Sequence, residues 1–223
     1  MKKEDIITKI KSLKNEKNIA GMARFGINTK NTYGVSMPIL RQMAKEIKKS
    51  TTNNHELAME LWNSEIHEAR MIAAFIEDPK NVTENQMDEW VNSFNSWDIC
   101  DSVCGSLFDK TPFAYKKIKE YILSEKEYTR RAGFVMVAWL AVHNKKAEDK
   151  VYTSFFPLIE KYSTDERNFV KKAVNWALRQ IGKRNKKLNI EAIELAKKIQ
   201  PKENKAAKWI AANALNELKN KKF

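Results

Sequence analysis

The sequence predicts an all-α fold, and three observations carry that expectation. Glycine and proline are scarce, at six and five in 223 residues. No Asn-Gly or Asp-Gly pair joins alternating apolar runs, and no stretch sustains the period-two pattern of a strand. Short helical stretches joined by short links follow one another along the chain, with no single long amphipathic span. Taken in order, the expected helices cover residues 3–17, 37–49, 53–63, 65–77, 83–94, 97–108, 113–123, 126–142, 148–162, 166–184, 188–199 and 203–219. The second opens around Pro38, and Pro79, Pro112 and Pro201 lie just ahead of the fifth, seventh and last, where a ring without an N–H is tolerated. Pro157 also lies where a helix can begin. Asn95 or Ser96 caps the helix of Trp97. Arg130 and Arg131 open the 126–142 helix, whose apolar run FVMVAWLAV ends near His143, at the end favoured by the helix dipole.

Four segments superimpose on one another: ARMIAAFIE from Ala69, RRAGFVMVAW from Arg130, KKAVNWALRQ from Lys171 and AKWIAANAL from Ala207. In each, a basic residue (Arg70, Arg131, Lys172, Lys208) opens a small, apolar helix. The last three anchors are spaced close to the roughly 40–47 residues of a HEAT or armadillo helix pair, while the first gap is longer. Stacked helix pairs of this kind form a superhelix with an extended binding face. We therefore expect one continuous repeat domain over residues 1–223.

Charge is unevenly distributed. Residues 1–111 hold 15 basic and 16 acidic side chains, whereas residues 112–223 hold 26 and 12, so the formal net charge of +13 belongs to the second half. Such asymmetry points to a surface facing a polyanion, either nucleic acid or an anionic membrane. A hydrophobic fraction of 43%, with six Trp and ten Phe, excludes a disordered basic tail. No run approaches the roughly 20 apolar residues of a membrane span, and the opening MKKEDIITKIKS is not a secretory signal. Two cysteines suit a reduced compartment, so the expected address is the cytoplasm.

The sequence lacks GxxxxGK[ST], HExxH and CxxC, which leaves phosphate-loop hydrolysis, zincin proteolysis and dithiol exchange unsupported. Cys100 and Cys104 read as buried thiols, and no metal or cofactor is expected. Two other segments stand out. In NSFNSWDICDSVCGSLFD, Trp97 and Asp101 share a helix face one turn apart. An acid on that face needs a partner or a purpose, and Asp101 lies beyond the first turn where the dipole rewards it. In NFVKKAVNWALRQIGKRN, Lys172, Trp176, Arg179 and Lys183 fall at i, i+4, i+7 and i+11, an indole set in a basic stripe. Cations there hold phosphates while the ring stacks on a sugar or base. Arg131 is expected to be partly buried and paired with a carboxylate such as Asp101.

The run GVSMPILRQMAKEIKK, the Trp97, Asp98 and Asp101 motif, the Arg131 helix and KKAVNWALRQ together resemble the AlkD-like DNA alkylation repair glycosylases over nearly the whole chain. That resemblance implies a right-handed superhelix of HEAT-like antiparallel helix pairs with a basic concave face that cradles duplex DNA. It implies removal of N3- and N7-alkylated purines by a monofunctional DNA glycosylase of base excision repair, acting as a monomer without cofactor in the cytoplasm, associated with the bacterial nucleoid. By motif position Asp101 matches the catalytic aspartate, Trp97 and Trp176 the cleft tryptophans and Arg131 the cleft arginine. Lys172, Arg179, Lys183, Arg130, Lys208 and Phe25 are the expected DNA contacts. Better-known members carry a Trp doublet where this chain has Ser96 and Trp97, and a tyrosine where it has Phe25. The resemblance further implies a lesion that stays stacked in a shallow groove lined by indoles. A non-catalytic helical scaffold for structured DNA or RNA is the alternative, with a protein-binding repeat behind it.

Overall fold

The computed structural model describes residues 1–223 and contains helices without strands. The helices are α1 (Lys3–Ser12), α2 (Glu16–Arg24), α3 (Met37–Ser50), α4 (Asn54–Trp62), α5 (His67–Ile76), α6 (Glu84–Asn92) and α7 (Trp97–Ser106), then a 3₁₀ turn at Phe108–Lys110. There follow α8 (Ala114–Leu123), α9 (Glu127–His143), α10 (Asp149–Thr153), α11 (Phe156–Tyr162), α12 (Asn168–Gly182), α13 (Lys186–Ile199) and α14 (Lys205–Lys219). None is long and apolar enough to cross a membrane.

Local chemistry sets many of these boundaries. Asn15, Asn53, Thr83, Asn185 and Asn204 each accept a hydrogen bond from the backbone N–H three residues on, which satisfies one of the orphan donors of a first helical turn. Pro38 and Pro157 occupy first-turn positions. Two expected helices are each broken in two. The 3–17 segment ends at Ser12 and restarts at Glu16, because Asn15 caps α2 while its own N–H donates to the Tyr33 carbonyl. The 148–162 segment is interrupted at Ser154–Phe155, just before Pro157.

The chain forms two compact units, Met1–Pro112 and Phe113–Phe223, and the charge imbalance changes sign at the same boundary. The core of the first holds Trp62 stacked flat on Trp90, with centroids 3.9 Å apart, flanked by Phe94 and Phe108. In the second, α9 is buried on nearly every side, as its apolar composition requires, and packs against α8 and α12. At Gly133 the backbones of α8 and α9 approach so closely that a Cβ would lie 2.8 Å from the Ile122 nitrogen.

The four self-similar segments begin two or three residues inside α5, α9, α12 and α14 and make up most of each helix body. Bonds between helices that pack side by side, α9 on α12 and α12 on α14, recur at a constant sequence separation: Arg131 to the Phe169 carbonyl, Asn175 to Asn213 and Arg179 to Glu217 each span 38 residues. Each unit of a repeat array touches only its neighbour, and this regular offset is its consequence. The register expected from sequence is corrected at one anchor. Arg70 donates from Nε to the Trp62 carbonyl eight residues back, and Arg130, not Arg131, makes the same bond to the Ile122 carbonyl. Both arginines close the C-terminal end of the preceding helix, where free carbonyls and the dipole favour a cation.

Candidate functional site

In the first unit, Phe25, Trp97 and Asp101 line one cavity of about 790 Å³, together with Asp98, His67, Met71 and the inner side of α2. Helix α7 delivers Trp97 and Asp101 from successive turns. Its N-cap, Ser96, is fully buried and donates from its hydroxyl to Asp98 at 2.5 Å, while accepting the Asn28 N–H. The Trp97 indole is held in place because Nε1–H donates to the Phe25 carbonyl at 3.0 Å.

Asp98 accepts from His67 Nε2 at 2.9 Å. Burial raises its pKa, but the hydrogen bond and charge of His67, with the Ser96 hydroxyl and the Ile99 N–H, outweigh burial and hold the carboxyl below its ordinary value. The His67–Asp98 pair was not foreseen from the sequence, where the two residues lie 31 positions apart and Asp98 reads as a dipole acid. Behind Asp101, Cys100 and Cys104 are buried, and burial pushes the Cys104 thiol well above its usual range, followed by the effect of Cys100. They are inert packing groups.

The far wall of the cavity is α2, none of whose residues is buried. It is held at its start by the loop 32–35, which is fastened in turn by Glu68. This fully buried carboxylate accepts from the Thr32 hydroxyl at 2.8 Å, the Tyr33 N–H at 2.9 Å, the Gly34 N–H at 2.7 Å and the Val35 N–H at 3.3 Å. Asn18 adds a bond to the Gly34 carbonyl. Gly34 has φ +71, and a Cβ there would meet the Asn15 carbonyl at 2.4 Å, so glycine is required on both counts.

In the second unit, Trp176 is half-buried and packs edge-on against Trp139, which stacks in turn on His143. Trp139 extends the aromatic surface beyond the one indole expected there. Lys172 and Lys208 are exposed, and Lys171 lies over the Trp209 ring. Arg131 is buried and donates to the Phe169 carbonyl at 2.6 Å.

Two expectations for DNA contacts change here. Arg130 is not placed to grip a phosphate: it is 6% exposed and bonded to Asp165 at 2.7 Å and Glu125 at 3.0 Å, with its guanidinium over Tyr162. Asp165 is itself kept below its ordinary pKa; burial opposes this, but the bonds from Arg167 and Arg130 prevail. Arg179 and Lys183 do not form an open cationic stripe, because both bind the carboxylate of Glu217. Burial raises the Glu217 pKa and the two cations lower it further than burial lifts it, so it is a carboxylate at neutral pH.

A model of the family described as DNA alkylation repair enzyme matches residues 6–218. The uncharacterized protein Lin0241 of Listeria innocua serovar 6a is 25% identical over 133 residues, which are 59% of this chain and 58% of that protein, so the matched part spans little more than half of that relative. Among solved structures, one described as a new family of proteins related to the HEAT-like repeat DNA glycosylases with affinity for branched DNA structures superimposes with a TM-score of 0.80. It is 21% identical and covers 100% of this chain and 97% of its own. The structure of smu.31 from Streptococcus mutans UA159 gives a TM-score of 0.59 at 22% identity, covering 80% and 90%. These two likenesses establish a HEAT-like repeat fold. With its family model running almost from end to end, the chain belongs to the DNA alkylation repair enzyme family.

Proposed function

We propose that the protein is a monofunctional DNA glycosylase of base excision repair that hydrolyses the N-glycosidic bond of cationic N3- and N7-alkylated purines in duplex DNA. The observation that carries this reading is the placement of Trp97 and Asp101 one turn apart on α7, both on the wall of the same cavity. An N3- or N7-alkylated purine is already a cation, so its bond to the sugar breaks without protonation of the leaving group and no general acid is needed. Positive charge then grows on the deoxyribose, as in other oxocarbenium-like transfers. The Asp101 carboxylate stabilises that charge and orients the attacking water, and it needs only to be fixed in place beforehand. Trp97, immobilised through the Phe25 carbonyl, offers its π face to the cation, a contact worth about 0.5–2 kcal/mol when desolvated.

Trp176 supplies the second π face in this reading, and Arg131 a fixed positive charge. Lys172 and Lys208 hold phosphates, while Arg179 and Lys183 exchange Glu217 for them on binding. The protein acts on alkylated double-stranded DNA as a monomer in the cytoplasm, associated with the nucleoid, without metal or cofactor.

Incubation of the purified protein with methylated duplex, followed by chromatography of the released material, tests the reading. Free 7-methylguanine or 3-methyladenine is expected, and Asp101→Asn is expected to cut release by about 10²–10³, the usual cost of losing one electrostatic stabiliser, while leaving DNA affinity intact. No release by the unaltered protein defeats it. A second reading then stands, a non-catalytic scaffold for branched DNA, favoured by the 0.80 TM-score to a structure whose family has that affinity. It calls for salt-dependent binding of four-way junctions in preference to linear duplex.

A further inference from the structure

The two arginines that close their preceding helices are built alike but satisfied differently. Arg130 and Arg70 each donate from Nε to the carbonyl eight residues back, and each lays its guanidinium over an aromatic ring, Tyr162 at 4.4 Å and Trp62 at 5.0 Å. Both are 6% exposed, and a cation buried to that degree calls for an anion. Arg130 has two, Asp165 on Nη1 at 2.7 Å and Glu125 on Nη2 at 3.0 Å. Arg70 pairs with no carboxylate. Its Nη1 donates to the neutral Ser93 carbonyl at 3.3 Å, and its Nη2, which is not sealed in, donates to no group of the chain. Glu65 precedes Arg70 as Glu125 precedes Arg130, but it is exposed, its backbone turns left-handed at φ +56, and it reaches Arg70 only through its charge. Burial pulls the Arg70 pKa below its ordinary value and Glu65 restores only part of it, yet a guanidinium stays charged at neutral pH.

The unsatisfied edge of Arg70 belongs to a cavity of about 240 Å³ lined by Lys30, Asn31, Glu65, Arg70, Ser93 and Asn95. Lys30 adds a second cation, and the Asn31 and Asn95 amides can turn N–H groups to a bound oxygen. Against the one carboxylate of Glu65, the two cations leave a single positive charge to be balanced, which suits one phosphodiester. Guanidinium, ammonium and amide donors around one space are the partners of a phosphate oxyanion. The walls are set in advance. The Lys30 N–H donates to Asn28 Oδ1 at 2.9 Å, the Asn28 N–H to the Ser96 hydroxyl at 3.3 Å, and the His67 N–H to the Asn31 carbonyl at 3.0 Å. The link that carries Lys30 and Asn31 is thereby tied to the starts of α5 and α7.

We propose that Arg70, Lys30 and the Asn31 and Asn95 amides form an oxyanion site that takes one backbone phosphate of DNA, where Arg130 instead keeps carboxylates of its own chain. Ser93 and Asn95 belong to the link that leads into α7, so a phosphate seated there fixes the strand beside the start of the helix that carries Trp97 and Asp101. A contact of this kind sets register and orientation and is blind to sequence. The site requires neither catalysis nor a lesion, so the outcome of the base-release assay leaves it standing.

Two substitutions test the site while leaving the bond from Arg70 to the Trp62 carbonyl in place. Asn95→Glu supplies a carboxylate to the cavity, as Asp165 does for Arg130, and Glu65→Gln removes the competing one. Urea unfolding with sodium phosphate replacing chloride at constant ionic strength reads the site alone, because a ligand of the native state raises the midpoint. The midpoint of the unaltered protein should climb with phosphate. That of Glu65→Gln should climb at several-fold lower phosphate, and that of Asn95→Glu should climb least. Equal climbs in all three proteins overturn the site. The affinity for linear duplex at a series of salt concentrations then identifies the source of the phosphate. Blocking one contact in Asn95→Glu should flatten the slope of log affinity against log salt by about 0.9. Climbs that differ as expected, with equal salt slopes for the unaltered protein and Asn95→Glu, overturn the DNA backbone as the source and assign the site to a free phosphate group. Failure of the unaltered protein to bind duplex at low salt defeats the DNA reading and the backbone assignment together, while the urea series still decides the oxyanion site.

Discussion

Replacing Glu68 should unfasten the first unit, and the size of the effect follows from its donors. The carboxylate is fully buried and gathers the Thr32 hydroxyl with the N–H groups of Tyr33, Gly34 and Val35. In Glu68→Leu the Gly34 and Val35 donors are left buried without that acceptor, and Thr32 and Tyr33 lose theirs. At about 1–3 kcal/mol for each stranded buried group, and counting the two buried N–H groups fully, the loss is about 4 kcal/mol. Relief from burying a carboxylate offsets part of this, and the partly exposed Tyr33 contributes in the other direction. Glu68→Gln separates charge from geometry. Its carbonyl oxygen retains the four donors of Oε1, and only the second, 3.1 Å bond from Tyr33 to Oε2 disappears. Its cost should be about 1–2 kcal/mol, since bonds to charged acceptors are worth roughly twice neutral ones. Urea unfolding followed by tryptophan fluorescence reads both variants. With m near 2 kcal/mol per molar for a small unit, Glu68→Leu should move the midpoint down by about 2 M. A shift in the leucine variant below about 0.5 M, or equal shifts for leucine and glutamine, would refute the idea that this one carboxylate fastens the loop and, through Gly34 and Asn15, the start of α2.

Other perturbations follow from the same geometry. Glu217→Gln removes the carboxylate that Arg179 and Lys183 must give up on binding, so affinity for DNA should rise several-fold while the slope of log affinity against log salt stays nearly unchanged; Lys172→Ala, Arg179→Ala and Lys183→Ala together should flatten that slope by up to about 2.7, three phosphate contacts' worth. Asp98 has a folded pKa below its unfolded one, so its stabilisation is complete above about pH 4 and is lost as pH falls through the folded value. Asp98→Asn should therefore lower the urea midpoint at neutral pH and flatten its fall below about pH 4. Gly133→Ala forces a Cβ to 2.6 Å from the Ile122 side chain and 2.8 Å from its backbone nitrogen, so α8 and α9 must part; a loss of about 1–3 kcal/mol in urea unfolding is expected despite alanine's better helix propensity.

The helices were legible because their signals are local. Asn53, Thr83, Asn185 and Asn204 cap through a backbone N–H three residues away, and Pro38 marks the start of α3. The break ahead of α2 was not legible, since it depends on Asn15 reaching Tyr33, a partner the linear pattern does not indicate. The same distance hid Glu68, which looks in sequence like a first-turn acid, and His67, whose partner lies on another helix. Trp97 and Asp101 stood out because an acid on an aromatic face is anomalous anywhere. Arg130 misled for the opposite reason: a basic pair at a helix start suggests solvent, whereas its carboxylate partners, Glu125 and Asp165, flank it from separate links. The cavity was invisible because its wall gathers residues from α2, α3, α5 and α7, which the linear pattern does not bring together.

The coincidence of the charge boundary with the boundary between units has a kinetic meaning. Met1–Pro112 carries a formal net charge of −1 and Phe113–Phe223 one of +14. Displacement of condensed counterions from a polyanion should therefore fall mainly to the second unit. Ionic strength should act as a dial on how quickly the chain finds a polyanion and how long it slides there, because both depend on the cationic unit. Events inside the nearly neutral unit, once the partner is engaged, should hardly respond to it. Searching and inspecting are thus assigned to separate stretches of sequence, and each is free to be tuned without disturbing the other.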